Sequence, residues 1–269
     1  MKSKLPAVPY LVWMAVFIVV PVGFVVYFAF TTPEGQFTLE NISRVGQYAN
    51  VLFRSIWLAC IATVICLLIA YPLAYIIARS GASIQKTLIM LVMLPMWMNF
   101  LLRTYAWMTL LENSGIINNL LRFFGLGPVQ MINTPGAVVL GMVYNYLPFM
   151  ILPLHSIMVK ISDTTLEAAS DLGANALQTF RRVVLPLSIP GIMTGITMVF
   201  VPSISTFIIS RMLGGGGNIL IGDLIELQFI GGNYNPNLGS AISLVLLVIV
   251  LLCMSIFNQV DTSDKEGIV

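Results

Sequence analysis

Side chains that commonly carry enzyme chemistry are few in this sequence of 269 residues. There is one histidine, His155, and there are three widely separated cysteines, Cys60, Cys66 and Cys253. An enzyme site needs a convergent nucleophile and base or a metal cluster, and neither an HExxH nor a GxSxG pattern occurs. A Walker A motif is also missing from the sequence. The sequence therefore predicts a protein that is not an enzyme and that has no metal site or ATP site of its own.

The most specific residue spacing lies in the stretch 167–186, which reads EAASDLGANALQTFRRVVLP. Ser162 or Asp163 is expected to cap a helix that enters this stretch. Gly173 is suited to the left-handed conformation that ends a helix. A second helix is expected from about Asn175. The pattern predicts a helix, a turn and a helix between two apolar segments.

Small and basic side chains in this stretch favour contact with another surface. Two arginines, Arg181 and Arg182, are suited to lipid phosphates or to an acidic partner. Short side chains near the turn would let a partner approach the backbone closely, and they belong to Ala168, Ala169, Ala174 and Ala176. A helix pair that only seals a helical bundle is the alternative interpretation.

The elements that must position this stretch are membrane helices. The chain is 58% hydrophobic and 9% charged, whereas about 25% of residues are charged in an ordinary soluble domain. A hydrocarbon core of about 30 Å needs about 20 helical residues. Six apolar runs are long enough, near residues 5–30, 52–78, 88–111, 136–159, 187–210 and 238–257. We expect an all-α membrane protein with one domain, residues 1–269, and a loop 160–186 between the fourth and fifth spans.

Positive charges indicate the orientation, because lysine and arginine favour the cytoplasmic side. Six spans place both termini on one side. That side carries Lys2, Lys4, Arg79, Lys86, Lys160, Arg181, Arg182 and Lys265. The other side carries Arg44, Arg54, Arg122 and Arg211, and Arg103 falls within the third span. This asymmetry predicts cytoplasmic termini and a cytoplasmic loop 160–186.

The spacing within 167–186 resembles the EAA motif, EAA-x3-G-x9-I-x-L-P, of permease subunits of binding-protein-dependent ABC importers. Only Val183 departs from it, with valine in place of isoleucine. The resemblance implies the type I importer permease fold, with six transmembrane helices and a coupling helix that docks in a groove of a cytoplasmic ATPase subunit. The coupling residues that it implies are Glu167, Ala168, Ala169, Asp171, Gly173, Arg181, Arg182, Leu185 and Pro186.

Within that family, three stretches resemble spermidine/putrescine permeases: LPMWMNFLLRTYAWMTLLENSGIINNLL, YNYLPFMILPLHSIMVK and GGGGNILIGDLIELQF, the last most like the B-type subunit. The first pattern is shared with carriers of other solutes, so thiamine, an amino acid or an osmolyte stays open. A polyamine's ammonium groups need carboxylates, carbonyls or aromatic faces when they lose water. The expected path or gate residues are Trp97, Asn99, Arg103, Tyr105, Trp107, Glu112, Tyr144, Asn145, Asp223 and Glu226.

Several of these residues also have simpler interpretations. Asp223 and Glu226 are interpreted as solvated charges of an outer loop, and the four consecutive glycines before them as a flexible segment. Arg103 would cost about 2.5 to 3.5 kcal/mol at the centre of a span. It is expected to reach the interface or to pair with Glu112, in a structural or gating role. His155 is interpreted as a packing or hydrogen-bonding residue rather than a proton relay.

The resemblance implies that the chain works in a complex. The partners are a second, C-type permease subunit in a pseudo-symmetric pair, two ATPase subunits that bind ATP and Mg, an extracytoplasmic substrate-binding protein and membrane lipid. The expected location is the inner or plasma membrane of a prokaryote. The net charge of +2 is too small to indicate nucleic-acid binding. Two other classes, a self-sufficient channel or ion-coupled carrier and a membrane-embedded enzyme, would act without an ATPase partner.

Overall fold

Helices form the regular structure of the chain in the computed structural model, which describes residues 8–232 and 234–266. Lys2 and Lys4, counted above, lie outside these residues. One isolated antiparallel bridge joins Thr31 and Phe37. The helices are α1 (Val8–Ala29), α2 (Glu40–Val45), α3 (Ala49–Ala78), α4 (Ala82–Met93), α5 (Phe100–Leu111), α6 (Ile116–Phe123), α7 (Pro135–Met158), α8 (Asp163–Asp171), α9 (Ala176–Ile204), α10 (Ile208–Gly214), α11 (Ile221–Ile230) and α12 (Pro236–Glu266).

Five helical segments in the described residues are long and apolar enough to cross a membrane. They are Val8–Ala29, Glu40–Ala78, Pro135–Met158, Ala176–Ile204 and Pro236–Phe257. A bent pair, Ala82–Trp97 and Phe100–Phe123, makes a sixth if it is one span. The expectation of an all-α membrane protein is confirmed.

Two of the expected spans differ from the structure. The third span, expected over 88–111, is not one continuous helix, because the chain bends by 87° between Trp97 and Phe100. Asn99 is responsible locally: its side chain accepts the backbone N–H groups of Leu101 and Leu102, so it caps a new helix. The fifth span, expected over 187–210, ends instead at Ile204.

Small side chains let α3, α7 and α9 pack closely into the main core. The buried face of α3 carries a small residue every three or four positions, at Ala59, Ala62, Cys66, Ala70 and Ala74. Without a hydrophobic driving force in lipid, such close approach is what stabilises helix pairs. A Cβ atom on Gly195 of α9 would lie 2.5 Å from Met150 Sδ of α7. A side chain at this position would therefore require the buried Met150 side chain to move.

The order of the helices defines two ends of the bundle. The loop end holds the C-termini of α3 and α7 and the loop 160–186. The far end holds the C-terminus of α9, with α10, α11 and the start of α12. Hydrogen bonds tie the far end together: the backbone N–H of Ile221 donates to Ser55 Oγ at 2.8 Å, and Asn237 Nδ2 donates to the Thr31 carbonyl oxygen at 2.7 Å. The 29 residues of α9 span about 43 Å between the two ends.

Candidate functional site

The loop 160–186 contains two short helical segments with well-formed caps. Ser162 Oγ accepts the backbone N–H of Thr165 at 3.3 Å and begins α8. Asn175 begins α9 with a capping box, in which its side chain accepts the N–H of Gln178 and Gln178 Oε1 accepts the N–H of Asn175, both at 2.9 Å. These bonds satisfy amide donors that a helix N-terminus leaves free. The loop therefore has a defined shape without a partner.

Gly173 forms the turn between the two helical segments. Its φ is +83°, the left-handed conformation that its place in the sequence predicts. Its N–H donates to the Ser170 carbonyl oxygen at 2.9 Å, and the N–H of Ala174 donates to the Ala169 carbonyl oxygen at 3.1 Å. This pair of bonds is the Schellman motif, which ends a helix with a reversal of direction. A Cβ on Gly173 would meet nothing within 4 Å, so it is the backbone conformation that requires glycine in this chain.

The residues expected to contact a partner lie on the open surface of the loop. Glu167, Ala168, Asp171, Arg181 and Arg182 are all exposed. Within the part of the chain that the structure describes, neither arginine has an ion-pair partner. Their charges are therefore available to a lipid or a protein.

One apolar side chain of the loop was not among the expected residues. Leu172 lies immediately before the turn and is 89% exposed. An exposed leucine between polar residues, directly before the turning glycine, was the available sequence signal. A large apolar side chain at the tip of a loop is a typical anchor for a protein partner.

Arg79 attaches the loop to the end of α3, a connection that sequence reasoning missed. Its guanidinium donates to the Ile161 carbonyl oxygen at 3.0 Å and to Asp163 Oδ1 at 2.9 Å. Asp163 is the first residue of α8. Residues 79 and 163 are far apart in sequence, so no local pattern identifies the pair. The start of α8 is therefore directly connected to the end of α3.

A second connection joins the loop to the membrane helices through Tyr71. The Phe180 ring packs edge-on against Tyr71 of α3, with the ring centroids 5.6 Å apart. The Tyr71 hydroxyl lies 2.8 Å from Ser188 Oγ of α9. Val184 is fully packed beside this contact, whereas Leu185 and Pro186 stay exposed. The end of the loop is thus held against two membrane helices.

Arg103 occupies the inner side of the bend between α4 and α5. It is 7% exposed, and one terminal nitrogen donates to the Pro95 carbonyl oxygen at 2.9 Å. The guanidinium carbon also lies 5.9 Å from the ring centres of both Phe100 and Tyr144. The expected pairing with Glu112 is wrong, because a freed backbone carbonyl and two aromatic faces stabilise the charge instead. These contacts offset part of the cost of placing this arginine in a span, and its Nε has no hydrogen-bond partner among the described residues.

The other aromatic and polar candidates fall into two groups. Trp107 packs edge-on against Tyr144 at 5.3 Å, beside Arg103. Asn145, on the same helix as Tyr144, is buried and donates to the Gly141 carbonyl oxygen at 2.8 Å. The remaining residues of this set have exposed side chains: Trp97, Asn99, Tyr105 and Glu112. The bend thus brings together only part of the expected set.

Asp223 and Glu226 are not solvated loop charges, so that interpretation is wrong. Asp223 is 3% exposed, and its Oδ2 accepts the N–H of Leu220 at 2.9 Å. Arg211 binds both carboxylate oxygens of Glu226 through two terminal nitrogens. Asp223 and Glu226 lie on one helix, α11, which packs against α12 and brings them to Arg211. The sequence signal was Asp223 at the third position of that helix, a common capping position.

The glycine-rich segment before α11, expected to be flexible, makes specific contacts with Asn133 and Arg54. Gly215 has φ +63°, and a Cβ there would lie 2.6 Å from Asn133 Oδ1. Asn218 Nδ2 donates to the carbonyl oxygens of Asn133 and Gly214, at 3.0 and 2.8 Å. Arg54 donates to the Gly217 carbonyl oxygen at 2.9 Å. The segment therefore forms a fixed wall beside Arg211.

His155 has a hydrogen-bonding position near the loop end. Its Nε2 lies 2.9 Å from Gln85 Nε2 of α4, and this contact joins α4 to α7. The expectation of a hydrogen-bonding residue agrees with this contact. Within the described residues, no group of three or more His, Cys, Asp or Glu side chains gathers in a way that could hold a metal ion.

Comparisons with known proteins agree with this arrangement. Residues 70–262 match the family of binding-protein-dependent transport system inner membrane components. The Haemophilus influenzae spermidine/putrescine transport system permease protein PotB is 38% identical over 93% of this chain and 90% of its own length. The Escherichia coli K12 protein of the same name is 36% identical over 91% and 92%. The E. coli inner membrane ABC transporter permease protein YdcU is 33% identical over 90% and 82%.

Solved structures show the same fold. A chain of a bacterial ABC transporter involved in the import of the acidic polysaccharide alginate superposes with a TM-score of 0.81, covering 95% of this chain and 93% of that one at 17% identity. At that identity the likeness establishes the fold alone. The family match covers most of the chain and the sequence relatives span nearly its full length. The chain therefore belongs to the inner membrane components of binding-protein-dependent transport systems and is a permease subunit of an ABC importer.

Proposed function

We propose that this permease carries polyamines, spermidine or putrescine, across the membrane. The sequence relatives named for spermidine/putrescine transport cover more than nine-tenths of the chain, and this observation carries the proposal. Aromatic rings and buried carboxylates are the groups that stabilise an ammonium ion after it leaves water. The far end supplies carboxylates in Asp223 and Glu226, and the bend supplies rings in Trp107 and Tyr144.

The remaining candidates along the path have supporting roles in this proposal. Trp97, Asn99, Tyr105 and Glu112 lie on exposed surfaces, where a second permease subunit would complete a shared path. Arg103 and Asn145 are buried beside the bend. As a cation, Arg103 would repel a polyamine, so it is assigned to the structure of the bend or to a gate. The path residues are therefore the rings and carboxylates, with Arg103 as a fixed positive charge beside them.

The loop 160–186 is proposed to couple transport to ATP hydrolysis in a separate subunit. Its capped helices, its Schellman turn and its exposed Leu172 form a surface that fits a groove on an ATPase subunit. Two attachments, Arg79 to Asp163 and Phe180 to Tyr71, join this surface to α3. Closure of the ATPase pair would reach the membrane helices through them.

The complete importer in this proposal contains four further components. They are a C-type second permease subunit, two ATPase subunits that bind ATP and Mg, and an extracytoplasmic binding protein that delivers the solute to the far end. The loop end, and with it both termini, would then face the cytoplasm. The loop and the carboxylates lie at opposite ends of α9, as this orientation requires.

Uptake by reconstituted vesicles tests the proposal. The chain is reconstituted with its second permease, ATPase and binding protein, and labelled spermidine and putrescine compete against amino acids and thiamine. We expect ATP-dependent uptake that unlabelled polyamines block and the other solutes do not. Polyamine uptake that fails while thiamine or an amino acid is imported would overturn the substrate and leave the coupling assignment intact.

A further inference from the structure

Arg211 and two carboxylates form an unbalanced charge cluster at the far end. Arg211 is bound at both terminal nitrogens by Glu226, with one of these distances 3.2 Å. Its Nε lies 3.9 Å from Asp223 Oδ1, which is too long for a hydrogen bond. One guanidinium therefore faces two carboxylates, and only one of them is directly paired. The cluster has a net negative charge when both acids are ionised.

The unpaired oxygen of Asp223 is the distinctive feature of this cluster. Asp223 is 3% exposed, and its Oδ1 has no hydrogen-bond partner among the residues that the structure describes. Ser210 is the neighbouring side-chain donor: its hydroxyl lowers the pKa of Asp223, although the acceptor at 3.0 Å from that hydroxyl is the Phe207 carbonyl oxygen. A buried carboxylate oxygen without a donor is costly. Such an oxygen retains the capacity to accept an N–H donor.

A small cavity adjoins Asp223. Its volume is about 150 Å³, and it is lined by Arg211, Gly215, Gly216, Ile219, Asp223 and Leu227. Since a water molecule takes about 30 Å³ in the liquid, the cavity holds an ammonium group with a short piece of alkyl chain, not a whole polyamine. Gly215 packs against Asn133, so the wall of the cavity has no room for a side chain at this position. The apolar lining suits the methylene groups next to an amine.

We propose that Asp223 and Glu226 bind one terminal ammonium group of the substrate at the far end, and that Arg211 occupies this site in the absence of substrate. The inference rests on the proposed function, because it assigns a subsite to a polyamine. An ammonium group has three N–H donors and would bind Asp223 Oδ1 at hydrogen-bond distance. Arg211 would then share Glu226 with it or swing away.

The donor set favours an ammonium group over a metal ion. Calcium takes six to eight oxygen ligands and magnesium takes six in an octahedron. Here one carboxylate oxygen is unpaired, and both oxygens of Glu226 are held by Arg211. Arg211 already donates N–H groups to Glu226. A substrate cation that carries N–H donors can bind the same acceptors. The guanidinium thus stands in for the ammonium group.

Three variants of the reconstituted importer test this site, with spermidine and putrescine as probes. Asp223→Asn retains an oxygen that caps Leu220 and removes the charge, so we expect the KM for spermidine to rise about tenfold or more. Glu226→Gln is expected to raise it as well. Arg211→Gln empties the site and is expected to lower the KM. The matched control is Glu40→Gln, which breaks an exposed ion pair with Arg44 and should leave the KM unchanged.

Arg211→Gln is expected to lower the KM and Glu226→Gln to raise it. These opposite changes in KM distinguish a substrate site from a structural ion pair. If the cluster served only stability, Arg211→Gln and Glu226→Gln would both reduce the amount of assembled complex and leave the KM of the remainder unchanged. That result would overturn the inference. If Asp223→Asn does not assemble, Arg211→Gln and Glu226→Gln still test the inference through their opposite changes in KM. A wild-type complex that imports no polyamine would instead overturn the proposed function, independently of these variants.

Discussion

Replacement of Gly173 tests the coupling loop most directly. The residue has φ +83°, and an L-residue in the left-handed region costs about 1 to 2 kcal/mol, with a β-branched side chain at the upper end. That free energy changes the population of the turn by about 5- to 30-fold. We expect Gly173→Val to reduce the amount of solute imported per ATP hydrolysed, because the Schellman bonds that set the direction of α8 are lost.

A series of substitutions separates backbone strain from contact with the partner. Asparagine tolerates the left-handed region better than alanine or valine, and a Cβ meets nothing within 4 Å in this chain. Backbone strain therefore predicts the least damage for Asn, more for Ala and the most for Val. Equal damage from Asn and Ala would indicate that the ATPase surface itself touches this position.

The assay measures uptake and ATP hydrolysis in the same vesicles, normalised to the amount of assembled complex. Gly46→Val is the matched control, because Gly46 has φ −55° and also has open space around its Cα. We expect its ratio of uptake to hydrolysis to equal that of the wild type. Normal coupling in Gly173→Val, at normal assembly, would refute the assignment of this loop.

Three further predictions concern buried and attached charges. Arg79→Gln should lower uptake more than ATP hydrolysis, since it releases Asp163 and the start of α8 from α3; both rates are measured in vesicles. Arg103→Leu should reduce assembled complex in detergent several-fold, because the Pro95 carbonyl at the bend loses its donor. Burial raises the pKa of Asp223, and Glu226 raises it further while Arg211 lowers it. Since only the ionised carboxylate binds ammonium, the KM for spermidine should rise on acidification from a higher pH than an exposed aspartate would give.

Each of these expectations has a defined contrary result. Equal loss of uptake and hydrolysis in Arg79→Gln would indicate general damage, and Arg79→Lys, which retains the charge, should recover part of the coupling. Wild-type assembly of Arg103→Leu would show that the bend needs no cation. For Asp223, the acid-dependent rise in KM should vanish in Asp223→Asn. Its persistence there would assign the titration to another group.

Local chemistry made much of this protein predictable. The helix caps at Ser162 and Asn175 and the turn at Gly173 depend on residues within five positions of each other, so the sequence alone locates them. Apolar runs long enough for a membrane depend only on composition, and they predicted the all-helical fold. Glu167, Gly173 and Pro186 belong to a spacing that resembles the EAA motif, and this short continuous stretch predicted the family that the comparisons confirm.

The tertiary structure decided how distant polar residues are paired. Arg79 meets Asp163 across 84 residues of sequence, and Arg211 meets Glu226 across 15, only after the helices that carry them pack together. The sequence led to the interpretation of Asp223 as a solvated charge, whereas it is buried in the structure. Burial of a carboxylate depends on neighbours that no local sequence pattern specifies. The sequence determined where the capped helices begin and where the loop turns, because those features depend on hydrogen bonds between near neighbours. The three-dimensional packing determined which charges lose water, because desolvation is a property of the whole assembly of helices.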